Sequence, residues 1–271
     1  MSRTWALAPG RAGAMGAILL ALGLAWTAPV QAFQWPSREA KPEAPRWGYS
    51  GELDPAHWGD LSAEFAACKE GKTQSPIDIR YGQRMDYQPL SFQYRSDTLA
   101  VTNDGHSIRV DAGPGSFLTV NGREYALQQY HFHTPSEHGI QGARADMEVH
   151  LVHRDAQGRI AVVAVLMNGG RRTNSTLKRI TDALPRIAGQ SFYGRQVATN
   201  PLFLLPPERS YFSYPGSLTT PPCTEGVDWF VMAEPVEVDA ALVARFRQAM
   251  GENARPLQPD NARPVLRFSR R

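Results

Sequence analysis

The chain has 271 residues, 42% hydrophobic and 20% charged, with a formal net charge of +3. That length suits one large domain or two small ones. With no Lys/Arg block the charge gives no support for nucleic-acid binding, and beyond the first 32 residues no apolar run approaches the roughly 20 residues that span a bilayer.

Residues 1–32 carry Arg3 and Arg11 but no acid, then the apolar run AMGAILLALGLAWTAPV and the small-residue ending VQA. This is the three-part pattern of a secretory signal peptide, with cleavage after Ala32. The alternative is an N-terminal membrane anchor, against which stand the short run and its interruption by Pro29. No cysteine lies near the cleavage point, so lipid attachment is not expected. Cleavage leaves residues 33–271 with the formal charge lowered by two, to +1. The expected product is soluble, periplasmic or secreted. Cys68 and Cys223 both fall in the exported part, where an oxidising compartment favours a disulfide over two free thiols. It would close a 155-residue loop, for which chain entropy assigns ~4–5 kcal/mol.

Residues 33–56 are rich in Pro, Trp and Gly and read as an ordered arm laid over a surface. Short alternating or β-branched runs follow: SFQYRS, LAVTND, HSIRVDA, SFLTVNG, REYALQQYHFH, MEVHLVHRD and GRIAVVAVLM. Turn signals such as NDG, GPG, NG and AQG separate them, which predicts antiparallel strands. The run IAVVAVLM has no polar face and reads as a central strand buried on both sides. Helical spacing occurs in NSTLKRITDALPRI, through Leu177, Ile180 and Leu184, and in DAALVARFRQAMG, which Gly251 can cap. With no internal repeat and no linker after residue 56, one domain over 33–271 is expected. Its class is mainly β with peripheral helices (α+β, an α-β roll) around a large, predominantly antiparallel twisted sheet.

QYHFHTPSEH, residues 129–138, holds three of the chain's seven histidines. Residues two apart on a strand share a face, so His131 and His133 point together while Phe132 points away. MEVHLVH supplies His150, with Glu148 on the same face, and the turn-rich segment between the two runs lets them lie side by side. Three neutral imidazoles with a fourth position for water form the catalytic zinc arrangement. Calcium prefers oxygen ligands and a non-haem iron triad needs a carboxylate. Glu148 is open to that use or to accepting a hydrogen bond from His150. The spacing by itself leaves zinc and a polar cleft of dispersed histidines equally open.

The segments WGYSG, HW, QSPIDI, NDGHSIRV, QQYHFHTPSEH, MEVHLVH and YPGSLTTPPCTEGVDW occur in the order of the alpha-class carbonic anhydrases. From Trp47 to Phe268 the chain resembles the secreted bacterial branch, in which HFHTPSEH replaces a longer animal segment. The resemblance implies a zinc carbonic anhydrase that reversibly hydrates carbon dioxide to bicarbonate and a proton, by zinc-hydroxide attack with histidine proton shuttling. It implies His131, His133 and His150 as the Zn2+ ligands, with Gln129 and Glu148 holding the imidazoles of His131 and His150. Thr219 would orient the nucleophile through Glu137, Thr220 would position substrate, and His106 would carry protons beside Tyr49. Val152, Val162, Leu218 and Trp229 would form the apolar wall for carbon dioxide. The bacterial branch also bridges cysteines at the positions of Cys68 and Cys223. Sulfonamides and anions are the implied inhibitors, and a homodimer is left open by the frequent dimers of that branch. Asp104 departs from the asparagine common in the animal enzymes, and a carboxylate there would raise the pKa of His106.

The remaining residues have simpler expectations. His138 reads as a structural hydrogen-bonding residue, His153 as structural or surface on the face opposite His150, and His57 as packing in the arm. Trp35, Trp47 and Trp58 read as packing anchors. Ser136, Glu137 and His138 are neighbours in sequence and do not make a nucleophilic triad. A non-catalytic binding protein on the same fold and an exported zinc hydrolase are the competing functions.

Overall fold

The computed structural model describes residues 45–86 and 88–269. The signal peptide expected over residues 1–32, Trp35 and the start of the arm lie outside the described residues. Sixteen strands occur among the described residues. The first eight are β1 Asp78–Ile79, β2 Gln83–Met85, β3 Ser91–Gln93, β4 Asp97–Asn103, β5 Ile108–Asp111, β6 Phe117–Val120, β7 Arg123–His133 and β8 Gly139–Ile140. Then come β9 Ala143–Arg144, β10 Met147–Arg154, β11 Ile160–Gly170, β12 Ser191–Thr199, β13 Tyr211–Ser217, β14 Glu225–Met232, β15 Val236–Asp239 and β16 Leu266–Phe268. Four short or medium helices accompany them: α1 Trp58–Leu61, α2 Ala67–Glu70, α3 Ser175–Asp182 and α4 Ala240–Met250.

Thirteen strands form one sheet in the order β12-β4-β5-β7-β10-β11-β14-β13-β16-β2, with β15 beside β11 and β3 joined through β6 to β7. Most pairings are antiparallel; β11 pairs β14 and β15 in parallel, and β16 pairs β2 in parallel. The expected mainly antiparallel sheet is present. β11 is its centre: Ala161 to Met167 are all buried. Its odd-numbered residues enter a core shared with Leu177 and Ile180 of α3 and Leu242, Val243 and Phe246 of α4. Its even-numbered residues Val162, Ala164 and Leu166 pack on the opposite face with Trp229, Val231 and Tyr214. The unbroken apolar run thus reflects layers on both faces.

Helix α4 runs from the Asp239 cap, whose carboxylate accepts from Ala241 N–H (2.8 Å), to Gly251. That glycine sits at φ 71, a conformation glycine adopts without cost, and its N–H bonds Arg247 O. Helix α3, capped by Asn174 onto Leu177 N–H (2.9 Å), is shorter than its periodic stretch. It ends at Asp182, because Pro185 disfavours helical backbone just before it. Strand β13 contains Pro215, which reads as a strand breaker in sequence. It is tolerated because β16 pairs only with Tyr211–Ser213, so nothing needs a donor on that side at Pro215.

The described part of the arm packs as expected. Trp47 and Tyr49 cover a cluster of Trp58, Phe65, Cys68 and Cys223, and Trp58 Nε1 donates to Gly48 O and Leu53 O. His57 stays exposed against Asp54 (2.8 Å). Cys68 and Cys223 are joined in a disulfide.

Candidate metal centre

Strand register assembles the site. Arg109 of β5 lies opposite His131 of β7, and His131 opposite His150 of β10. His133 lies opposite Glu148. In the neighbouring row Gln129 faces Val152, Val152 faces Val162, and Val162 faces Trp229. Directly paired residues share a sheet face, so the histidines and three of the apolar-wall residues stand side by side.

The three histidine rings converge, with centroids 5.1 Å apart for His131–His133, 5.3 Å for His131–His150 and 4.6 Å for His133–His150. One nitrogen of each lies within 4.8 Å of the others. The second nitrogen of every ring is already used. His131 Nδ1 donates to Gln129 Oε1 (2.9 Å), His133 Nδ1 to Asn253 O (2.9 Å) and His150 Nε2 to Glu148 Oε1 (2.9 Å). The inward atoms are therefore His131 Nε2, His133 Nε2 and His150 Nδ1. Buried Nε2 of His133 has no hydrogen-bond partner, an expensive state for a polar atom unless a ligand completes it. Burial foremost lowers the pKa of all three rings, which favours the neutral form a metal needs.

Glu148 accepts four hydrogen bonds: from the rings of His150 and His138 at Oε1, and from the backbone N–H groups of Glu137 and His138 at Oε2. Burial alone would raise its pKa, but His138 and His150 hold it well below the ordinary carboxylate value. With its lone pairs so occupied, Glu148 acts as an acceptor for His150. His138 is also hydrogen-bonded to the Tyr214 hydroxyl (2.6 Å), which meets Ser75 Oγ (2.9 Å). His153 is structural and not on the surface: it lies on the face opposite His150, as parity placed it, fully buried in the core and opposite Ala161 of β11 in unbroken register. There Nδ1 donates to Ala161 O (3.2 Å) and Nε2 meets Tyr94 Oη (2.6 Å).

Glu137 is fully buried, and Arg255 N–H donates to its Oε1 (2.8 Å). Its Oε2 lies 3.5 Å from His133 Nε2 and 3.8 Å from His150 Nδ1, with no aligned hydrogen bond. Burial raises the Glu137 pKa, while His150 and the nearby Thr219 hydroxyl lower it. Thr219 is buried next to half-exposed Thr220.

A cavity of about 170 Å³ opens over the rings of His131 and His133, lined also by Trp47, Tyr49, Asp104, His106, Arg109, Gln129 and Thr220. His106 stacks on Trp47 at 3.8 Å. Its pKa is lowered, because burial outweighs the opposing charge of Asp104. This corrects the expected upward shift: Asp104 Oδ1 is engaged by the backbone N–H groups of His106 and Ser107. Val152, Val162, Leu218 and Trp229 belong to the adjoining apolar cluster and do not line this cavity.

The family model for eukaryotic-type carbonic anhydrase matches residues 53–271. The chain belongs to the alpha carbonic anhydrase family. A carbonic anhydrase from Nostoc sp. is 40% identical over 232 residues, spanning 84% of this chain and 88% of that protein. One from Neisseria gonorrhoeae is 42% identical over 222 residues, 81% of this chain and 87% of that protein. The solved alpha-carbonic anhydrase of Thermovibrio ammonificans, in complex with the inhibitor sulfanilamide, shares 44% identity at a TM-score of 0.80. That match covers 83% of this chain and all of the other. Carbonic anhydrases are lyases, and carbon dioxide hydration is the reaction of this family.

In this carbonic anhydrase, the part of the site absent from the sequence reading comes from distant backbone. The acceptor for His133 is a main-chain carbonyl at Asn253, 120 residues away. Asn253 also ties its side chain to His106 O and Phe132 O. Arg255, buried and stacked on Trp58, binds Gln74 Oε1, Ser75 O and Cys68 O. A carbonyl acceptor leaves no mark in sequence, and an isolated arginine in a Pro-rich tail leaves little more.

Proposed function

We propose that this carbonic anhydrase hydrates carbon dioxide at a zinc ion held by His131 Nε2, His133 Nε2 and His150 Nδ1. The observation that carries this reading is the partnerless buried Nε2 of His133, facing the inward nitrogens of two rings whose other nitrogens are occupied. An all-imidazole donor set is the catalytic zinc type. Carbonic anhydrase is itself the reference case for zinc lowering the pKa of water to about 7, which supplies a nucleophile at neutral pH.

The protein groups have separate tasks in this reading. Gln129, Asn253 O and Glu148 fix each ring's tautomer and direction. Glu137, when ionised, can only accept a hydrogen bond. It takes the Thr219 proton, so Thr219 Oγ in turn accepts from the attacking oxygen and aims its lone pair. Thr220 positions substrate beside it. Val152, Val162, Leu218 and Trp229 offer a dry wall to an apolar substrate, worth ~1 kcal/mol for so small a solute. His106 at the cavity wall accepts the released proton and passes it to buffer, with Tyr49 beside it, since imidazole titrates near neutrality.

The mature protein is proposed as one domain over 33–271, exported by residues 1–32 to the periplasm or beyond; the Cys68–Cys223 disulfide supports that compartment. Among the described residues no helix is long and apolar enough to cross a membrane. Sulfonamide binding is proposed on the strength of the Thermovibrio complex, and a homodimer as the assembly. Purified protein should carry close to one equivalent of zinc and hydrate carbon dioxide in stopped flow. A protein that hydrates nothing, or binds less than about half an equivalent, refutes the reading.

A further inference from the structure

Arg109 was given no role by the sequence, yet it stands in the site. It lies opposite His131 on the neighbouring strand and lines the same cavity. It is the sole Lys or Arg among the cavity's lining residues. Its Nε is 3.0 Å from Asp111 Oδ1, but the approach makes no aligned hydrogen bond. Its terminal amines have no hydrogen bond among the described residues, and the side chain is 41% exposed. Asp111 is itself half-exposed, so it offsets the cation only in part. The other charge at the cavity wall, Asp104, is spent on the backbone of its own turn.

The reaction turns a neutral, apolar molecule into a monoanion. A guanidinium with free amines distinguishes the two: it offers carbon dioxide little, whereas bicarbonate presents planar oxygens that match its fork. Arg109 shares one cavity with the rings of His131 and His133. We propose that Arg109 is an anion-specificity residue that binds bicarbonate in the site of this enzyme, tightening bicarbonate relative to carbon dioxide. The inference rests on the zinc-centred reading above and assigns Arg109 no part in forming the carbon–oxygen bond.

The test compares zinc-loaded wild type, Arg109→Gln and Arg109→Lys at fixed ionic strength. Bicarbonate affinity is read by displacement of a fluorescent arylsulfonamide, whose own Kd is measured in each protein, and zinc content is measured in parallel. Arg109→Gln should weaken bicarbonate by about fivefold, the scale of one partly exposed charge contact, while Arg109→Lys stays within about twofold of wild type. KM for bicarbonate dehydration should rise in Arg109→Gln in step with the lost affinity and stay near the wild-type value in Arg109→Lys. Unchanged bicarbonate affinity in Arg109→Gln, or a loss that only tracks lost zinc, overturns the proposal. If wild type itself lacks zinc or hydration, the underlying reading fails instead.

Discussion

At the scale of single residues, the site is organised by what each imidazole does with its second nitrogen. Parity along HFH and MEVHLVH was enough to bring His131, His133 and His150 towards one point, and it put Gln129 and Glu148 two residues from their rings. It could not find Glu137, whose place beside Thr219 depends on chain 82 residues away and was legible only through family resemblance. Nor could it find Asn253, which acts through a carbonyl. The three supports should therefore respond differently to mutation. Gln129→Ala removes one half-exposed acceptor and is predicted to weaken zinc binding by about 10–100-fold, with stability changed by less than about 1 kcal/mol. Competition with a zinc chelator measures the first and denaturant unfolding the second. Zinc affinity equal to wild type would show that Gln129 does not hold the ring. Glu148→Ala strands four buried donors and should destabilise the fold itself, by about 3 kcal/mol or more.

At the scale of elements, the legible strands were those with clean alternation or an unbroken apolar run, β3 to β7 with β10 and β11, while the short β8 and β9 lie in the segment read as turn-rich. Among the strands after α3, β12 and β13 escaped because each carries a local contradiction. β13 has Pro215 and Gly216, and β12 is interrupted by a register shift between Gly194 and Ala198. Parity put His153 on the face opposite His150 correctly, but only the fold shows that this face is covered and the ring fully buried. That buried ring has its pKa lowered to about 4, by burial above all. The unfolded chain, with an ordinary histidine pKa near 6.5, binds this proton more readily than the folded one. Stability from His153 is therefore present above about pH 6.5 and lost as pH falls towards 4, on the order of 3 kcal/mol in total. Unfolding free energies across pH 4–7 should fall more steeply for wild type than for His153→Phe. Parallel pH profiles for the two proteins would remove His153 from the acid response.

At the scale of the whole molecule, the centre is braced from behind by long-range ties. The disulfide joins α2 to the segment just after Thr219 and Thr220, and Cys223 N–H bonds Thr220 O (2.9 Å). Arg255 bonds Cys68 O while its own N–H holds Glu137. One knot thus fixes both members of the proposed Thr219–Glu137 pair. Export made the disulfide an expectation, but its service to the site needed the fold. The double variant Cys68→Ser/Cys223→Ser should lose about 2–4 kcal/mol of unfolding free energy, read as a lower denaturant midpoint. A midpoint equal to that of wild type under oxidising conditions would contradict it. The proposed catalysis depends on a metal at the three histidines. Stripping the protein with a chelator and titrating zinc back while following carbon dioxide hydration tests this most directly. Activity should vanish on stripping and return linearly to a break at one equivalent; hydration that survives complete removal of metal, or never returns with zinc, would contradict it.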